Sequence, residues 1–398
     1  MRSAVITIGN ELINGARSDT NSTFISAKLS ERSIKTDIII SVGDDSSMIG
    51  RSIDIVLDSQ TDFLFITGGL GPTHDDITKE ALADYFNKDL VYDPKVKDSA
   101  GKEINGSQAM ILDGSKPISN MLGTATGIYY NFKGCKIFVL PGVPSEMEDM
   151  INRTIIPEHF STSSNSRFRV VRTIGISERS LSDSLSDIMT KYGSSYQFAF
   201  LPSKGSVDFR IVEHGKTDIS INKLASKIYD RIRPYSFTIG DISIEDVVGN
   251  YLKEKQMTLA IAESCTGGLV SKMLTNSPGC SEYFLGSIVS YSNESKVSKL
   301  GVDREVIDKH GAVSRQVASS MACSVKNEFS ADIGLAITGI SGPGGGSKEK
   351  PVGLVYIAVA TTSSTDVYKY IIPTDRDSHR EAVSKRALNS IRVLLESF

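Results

Sequence analysis

The feature that most constrains this chain is a series of short apolar runs that do not alternate with polar residues. Ala4-Val5-Ile6-Thr7-Ile8, Asp37-Ile38-Ile39-Ile40-Ser41-Val42, Phe63-Leu64-Phe65-Ile66 and Ile137-Phe138-Val139-Leu140 recur in the first part of the chain. Leu259-Ala260-Ile261-Ala262, Ser287-Ile288-Val289-Ser290, Ile333-Gly334-Leu335-Ala336-Ile337 and the stretch 352–360 do so in the last part. Runs this short read as strands, and a strand that is apolar on both sides must be covered on both faces. Helical windows fall between them, at 21–32, 46–57 and from Ser145 in the first part, and at 244–254, 269–274, 317–329 and 379–395 in the last. Parallel strands require such crossovers, so both ends of the chain read as doubly wound α/β domains.

A chain of 398 residues exceeds one ordinary core, and a third unit lies in the middle. Ser161-Thr162-Ser163-Ser164-Asn165-Ser166 is small and polar throughout, a linker by composition. Beyond it the pattern predicts strand 168–174, helix 178–189, strands 197–201 and 207–212, and helix 219–231, a small α+β domain. A KH-like RNA-binding reading lacks its Gly-x-x-Gly between Arg167 and Tyr235, so a spacer or dimerisation module is expected. The expected domains are 1–165, 166–242 and 243–398.

The formal net charge is -3 and basic residues form no run, which gives no electrostatic case for nucleic acid or membrane. The first apolar stretch meets Glu11 at once, and no segment approaches the roughly 20 apolar residues of a membrane span. A cytoplasmic location is therefore expected. Cys135, Cys265, Cys280 and Cys323 make no CxxC pair, and no two histidines share a helix face. Any metal would sit on carboxylates and phosphate oxygens.

Two glycine-rich loops follow strands: Thr67-Gly68-Gly69-Leu70-Gly71-Pro72-Thr73 and Thr338-Gly339-Ile340-Ser341-Gly342-Pro343-Gly344-Gly345-Gly346-Ser347. Neither matches a P-loop, and neither has the full dinucleotide fingerprint. Each suits either a tight turn or close backbone approach to a phosphate. The first runs into His74-Asp75-Asp76-Ile77-Thr78, and Glu11, Asp19 and Asp44 also fall at predicted strand ends. One aspartate is accounted for as a helix cap; carboxylates gathered beside a phosphate loop are what a divalent cation needs to join a diphosphate to protein.

Gly9-Asn10-Glu11-Leu12, Asp19-Thr20-Asn21, Val42-Gly43-Asp44-Asp45, the segment Thr67 to Thr78 and Leu140-Pro141-Gly142-Val143-Pro144 together resemble the N-terminal domain of CinA proteins. The resemblance implies a molybdopterin-binding-like fold and a metal-dependent ADP-ribose pyrophosphatase that yields AMP and ribose 5-phosphate. It implies that Asp75, Asp76, Glu11 and Asp44 hold a divalent metal (Mg, Mn or Co) or activate water. Gly68, Gly69, Gly71, Thr73 and Asn21 would hold substrate. A domain that only binds nucleotide or a pterin-like ligand is the alternative. Thr126 stands where the family often has proline.

In the last part, Leu259-Ala260-Ile261-Ala262 leads into Glu263-Ser264-Cys265-Thr266-Gly267-Gly268 and then a helix. A serine there is commonly just the helix N-cap. Alternatively it is a nucleophile beside converging backbone N–H groups. Ser290-Tyr291-Ser292-Asn293-Glu294-Ser295-Lys296 places a tyrosine at a strand end and a lysine in the next helix. His310 precedes a glycine at a helix end and His379 opens an exposed helix, so neither reads as the base. A desolvated lysine with help from Tyr291 is left to activate Ser264, unless Lys296 is a plain surface charge. Arg376 and Arg380, four apart, would clamp a phosphate.

These residues, with His310-Gly311-Ala312-Val313-Ser314, Lys350-Pro351-Val352-Gly353 and Asp375-Arg376, resemble the C-terminal CinA domain. That domain is also known as nicotinamide mononucleotide amidohydrolase; the middle unit corresponds to the family's KH-like insert. Thr374 replaces a glycine common in the family. The resemblance implies deamidation of nicotinamide mononucleotide to nicotinate mononucleotide and ammonia, without a cofactor. Ser264 would be the nucleophile, Tyr291 and Lys296 base and proton shuttle, and backbone donors near Thr266 and Gly267 the oxyanion hole. Gly268, Gly339, Ser341, Gly342, Gly345 and Gly346 would line the substrate site. A homodimer is expected from the family and from the prevalence of symmetric dimers.

Overall fold

A computed structural model of the chain describes residues 1–398 except 33, 95, 97–105, 161–167 and 217; the expected linker at 161–166 lies outside the described residues. The chain divides into two compact units, Met1–Ser166 and Arg167–Phe398.

The first unit contains strands β1 (Arg2–Ile8), β2 (Lys35–Val42), β3 (Phe63–Thr67), β4 (Leu90–Tyr92), β5 (Met110–Leu112), β6 (Lys116–Ile118), β7 (Gly127–Phe132) and β8 (Cys135–Leu140). Six form one sheet in the order β2-β1-β3-β8-β7-β6. The first four are parallel, as the unbroken apolar runs require, and β7 and β6 add an antiparallel edge. That edge is invisible to a search for crossovers, because a tight turn with Lys133 and Gly134 at positive φ joins β7 directly to β8. Alternate residues supply two cores. Ile6, Leu64, Ile66 and Val139 pack on one face, and Val5, Phe63, Phe65 and Phe138 on the other.

The second unit opens with the antiparallel sheet β10-β11-β9-β12, formed by β9 (Phe168–Thr173), β10 (Tyr196–Ser203), β11 (Ser206–Glu213) and β12 (Ser236–Ile239). Helices Glu178–Tyr192 and Ile221–Arg231 pack against it. The module is not a spacer hanging between domains. Its Ile174 and Phe237 sit in the main core of the last domain. The fully buried Arg392 of the C-terminal helix donates to the Pro234 carbonyl at 2.6 Å, and Arg386 donates to the Gly175 carbonyl at 3.2 Å.

The last sheet has the order β14-β13-β15-β16-β17, with β13 (Leu259–Glu263), β14 (Phe284–Val289), β15 (Ile333–Gly339), β16 (Leu354–Ala360) and β17 (Thr365–Ile371). Strands β14, β13 and β15 are parallel; β16 and β17 run antiparallel to their neighbours. Leu259 and Ile261 face helices Ile244–Glu254 and Arg376–Glu396, while Ala260 and Ala262 face helix Arg315–Glu328. Small residues on that second face let the helix approach closely. A Cβ on Gly334 would lie 2.1 Å from the Ala322 carbonyl oxygen. Among the described residues no helix is long and apolar enough to cross a membrane.

In both sheets the chain starts in the middle, adds a parallel strand on one side and then crosses to the other. Such a reversal leaves a crevice at the carboxyl ends of the strands, where ligands bind. The loops carrying Ser264, Tyr291 and Gly339 leave the ends of β13, β14 and β15.

Candidate active site

The turn after β13 is shaped by two glycines and one carboxylate. Gly267 and Gly268 have φ of +59° and +92°, conformations that L side chains rarely adopt. Glu263 is fully buried. Its Oε2 accepts from the amides of Gly268 (2.9 Å) and Val270 (3.3 Å), and its Oε1 from the Ser271 amide (2.9 Å) and hydroxyl (2.7 Å). Glu263 therefore caps helix Leu269–Thr275, which removes the cap as an explanation for Ser264. It also narrows the expected oxyanion hole, donors near Thr266 and Gly267. The Gly267 amide is spent on the Ser264 carbonyl at 3.1 Å and the Gly268 amide on Glu263, and neither glycine lines the cavity. Among the described residues no oxygen acceptor is seen for the amides of Cys265 or Thr266, and of the two only Cys265, directly after the serine, lines the cavity and is the better donor.

Lys296 comes from the first turn of helix Asn293–Leu300, which Ser292 caps by accepting from the Ser295 amide. The lysine is only 1% exposed, so it is no surface charge. Its Nζ donates to the carbonyls of Ser290 at 2.8 Å and Tyr291 at 3.2 Å, and lies 3.0 Å from Ser264 Oγ. Burial lowers its pKa to about 8. Two carbonyls, which only accept, take two N–H bonds; in the neutral amine the remaining position is a lone pair. That lone pair faces the serine hydroxyl. A neutral lysine here is a base already in contact with its proton donor.

Tyr291 departs from its expected role. Its side chain is 59% exposed and its hydroxyl accepts from Arg376 at 2.7 Å, so it reaches Lys296 through its backbone carbonyl. The two arginines also separate. Arg376 donates to Gly342 O at 2.8 Å and lines the cavity, whereas Arg380 is turned to the Thr266 carbonyl at 2.8 Å and does not line it. Arg380 positions the turn and Arg376 alone is available at the site. His379, expected in an exposed helix start, is fully buried. Its ring nitrogens lie 3.0 Å from Ser341 Oγ and 3.2 Å from Gly353 O. The signal that marks it is helical periodicity, which puts His379 on the buried face with Ala382, Val383 and Ala387. Burial pushes the Cys265 thiol up to about 12, which makes it a poor nucleophile beside Ser264.

Together these groups line a cavity of about 240 Å³. Ser264, Tyr291, Lys296, Gly339, Ser341, Gly342, Gly345 and Arg376 are on its wall; Thr266, Gly267, Gly268, Gly346 and Arg380 are not. Sequence reading missed Asn293, Ala312, Val313 and Thr338, which also line it. Thr338 holds the 312 loop by donating to the Ala312 carbonyl at 2.9 Å.

In the first unit the loops after β1 and β3 lie side by side. A Cβ on Gly68 (φ +112°) would lie 2.0 Å from Ile8 O, and one on Gly71 2.5 Å from Asp76 Oδ2. Both glycines are needed for close packing. The Gly69 backbone (φ +62°) likewise leaves no space against Thr78. Asn21 donates to Thr67 Oγ1 and Gly142 O, and its buried Oδ1 has no hydrogen-bond partner among the described residues. The Thr73 hydroxyl lies 2.5 Å from Asp75 Oδ1 and 2.6 Å from Asp76 Oδ2. One hydroxyl proton cannot serve both carboxylates. That exposed oxygen pair suits a hard cation whose other ligands are water and substrate phosphates. The expected four-carboxylate set is not assembled: Asp44 accepts from the Asn10 amide at 3.0 Å, and Glu11 folds against Gly9. Among the described residues no three potential ligands group together for a metal.

The architecture is thus a molybdopterin-binding-like α/β unit followed by a KH-like module fused to an α/β domain with a Ser–Lys pair at its switch point. Family models match in the same order: a probable molybdopterin binding domain over 4–159, the damage-inducible protein CinA KH domain over 168–238, and the CinA C-terminal domain over 241–395. A CinA-like protein of Chloroherpeton thalassium is 36% identical over 425 aligned positions, covering 100% of both chains. One from Dictyoglomus thermophilum is 38% identical, covering 98% of each. A solved competence/damage inducible protein from Agrobacterium tumefaciens is 35% identical over 38% of this chain and 93% of its own, with a TM-score of 0.37. The chain belongs to the CinA family.

Proposed function

We propose that the last domain hydrolyses the carboxamide of nicotinamide mononucleotide to nicotinate mononucleotide and ammonia. The observation that carries this reading is the buried Lys296 Nζ at 3.0 Å from Ser264 Oγ, with the helix cap supplied by Glu263 instead of the serine. Lys296 takes the hydroxyl proton as Ser264 Oγ bonds to the amide carbon. The developing oxyanion meets the Cys265 amide. Collapse breaks the C–N bond, and the proton on Lys296 leaves with nitrogen as ammonia. Water, deprotonated by the same lysine, then hydrolyses the acyl-serine to the carboxylate and restores the serine hydroxyl. Arg376 at the cavity wall suits the phosphate of the nucleotide. Ser264→Ala is expected to abolish ammonia release while nucleotide binding survives; release that persists in this variant sinks the serine mechanism.

For the first domain the contested Thr73 hydroxyl favours metal-dependent hydrolysis of ADP-ribose to AMP and ribose 5-phosphate. Asp75 and Asp76 would hold the cation, which would neutralise the diphosphate; the glycine loop offers backbone amides to the phosphates. A binding-only domain is the competing reading, and AMP formation that ignores added divalent metal would favour it. A cytoplasmic homodimer completes the reading, and a monomeric mass in solution would remove the dimer from it.

A further inference from the structure

His379 lies in the last core-facing turn before the cavity, and its two hydrogen bonds leave it one tautomer. Nε2 is 3.2 Å from the Gly353 carbonyl, which only accepts, so Nε2 carries the hydrogen. That carbonyl is held in place because it also accepts from the Ile372 amide at 2.9 Å, and because Gly353 (φ +94°) leaves no room for a Cβ against Ile372. Burial disfavours a second proton on the ring and outweighs the Gly353 hydrogen bond, which favours it; the Arg376 charge adds to the burial. Nδ1 is therefore a bare acceptor, and Ser341 Oγ, 3.0 Å away, commits its only hydrogen to it. What remains on Ser341 is its two acceptor sites, one within reach of the buried Cys265 thiol and the other on the wall of the cavity that holds Ser264 and Lys296.

A hydroxyl normally reads donors and acceptors alike, because it can turn. This one cannot. A primary carboxamide offers it an N–H, whereas the carboxylate product offers only lone pairs. We propose that Ser341 accepts the N–H of the substrate carboxamide, with His379 as the positioning residue that keeps the serine an acceptor, so the site holds the amide and repels the acid. The proposal rests on the amidase reading above. It adds a cause for discrimination between bound substrate and bound product that the Ser264–Lys296 pair does not contain, since Lys296 protonates the nitrogen only as the C–N bond breaks.

The test uses the full chain carrying Ser264→Ala, so that ligand is bound without turnover, and measures Kd for nicotinamide mononucleotide and nicotinate mononucleotide. Adding Ser341→Ala is expected to weaken the amide by about three- to tenfold, the range of one hydrogen bond, and to leave the acid unchanged or tighter. Adding His379→Leu to the Ser341→Ala chain is expected to change the ratio of the two constants less than about twofold, since two residues acting as one unit are not additive. In the chain with Ser264 intact, Ser341→Ala raises KM more than it lowers kcat. Equal weakening of both ligands, or no change in either, overturns the assignment and leaves Ser341 and His379 as a pin between loop and helix. If the starting protein binds neither nucleotide, the substrate reading itself fails and this assignment falls with it.

Discussion

The sheets β2-β1-β3 and β14-β13-β15 offer the same crevice to a ligand, and the two sites built there differ in what surrounds their charges. In the first unit the candidate groups are the Asp75 and Asp76 carboxylates on an exposed loop, beside the Thr73 hydroxyl. In the last domain the reactive group is a single lysine withdrawn from water, with two carbonyls fixing its N–H bonds and a serine at its lone pair. An exposed acid needs a metal to become useful at neutral pH, while a buried amine becomes a base through desolvation alone. On the proposed function one strand arrangement would support two chemistries, with burial deciding between them.

The sharpest way to break this contrast is Lys296→Met, which keeps length and apolar bulk. Deamidation of nicotinamide mononucleotide should fall by about 10²–10⁴-fold, the usual contribution of a positioned base, with ADP-ribose cleavage untouched. Replacing Asp75 and Asp76 by asparagine should do the reverse. The concentration of divalent metal needed for AMP release should rise by about 10–100-fold, while ammonia release stays at the wild-type rate.

The pH profiles should separate the sites as well. Lysine is the active base when neutral, and the neutral fraction grows with pH. Deamidation kcat/KM should therefore climb about tenfold per unit below its pKa of about 8 and level off above it. The Thr73 hydroxyl holds Asp75 below the ordinary carboxylate range, so that carboxylate is already ionised and its contribution should stay flat over the same interval. A deamidation profile that is flat from about pH 6 to 9 would remove Lys296 as the base. The smallest expected effect concerns the scaffold. Glu263→Ala leaves three amides and a hydroxyl without their buried acceptor and should cost about 1–3 kcal/mol of stability, seen as a lower melting temperature of the full chain.

Much of this was legible in the residues. Unbroken apolar runs announce β1, β3, β8, β13 and β15 because a doubly covered strand has no polar side to alternate. Edge strand β17 escaped because Asp366 and Lys369 interrupt Thr365-Asp366-Val367-Tyr368-Lys369-Tyr370-Ile371, which forms no unbroken apolar run. The antiparallel edge β7-β6 escaped because a hairpin needs no crossover helix. Ser264, Lys296 and the second glycine loop were legible as motifs, and the cavity brings them together. Tyr291, Arg380 and His379 were misread for one reason: each assignment depended on where a side chain points. Tyr291 turns to Arg376, Arg380 turns to Thr266, and His379 turns into the core.

The amino-acid order by itself determined the covered central strands β1, β3, β8, β13 and β15, where the glycines must turn, and which residue types meet at the strand ends; that the equally apolar β16 runs antiparallel was not among them. Those follow from local rules: periodicity of side chains, backbone conformations open to glycine, and the reach of a crossover. Only the tertiary structure decided that Glu263 caps the helix, that Lys296 loses its water, and that the middle module shares a core with the last domain. The cap is a competition between neighbours, Glu263 and Ser264, for amides five to eight residues on from the glutamate; the other two are matters of solvent exclusion among residues tens of positions apart, which no window of sequence contains.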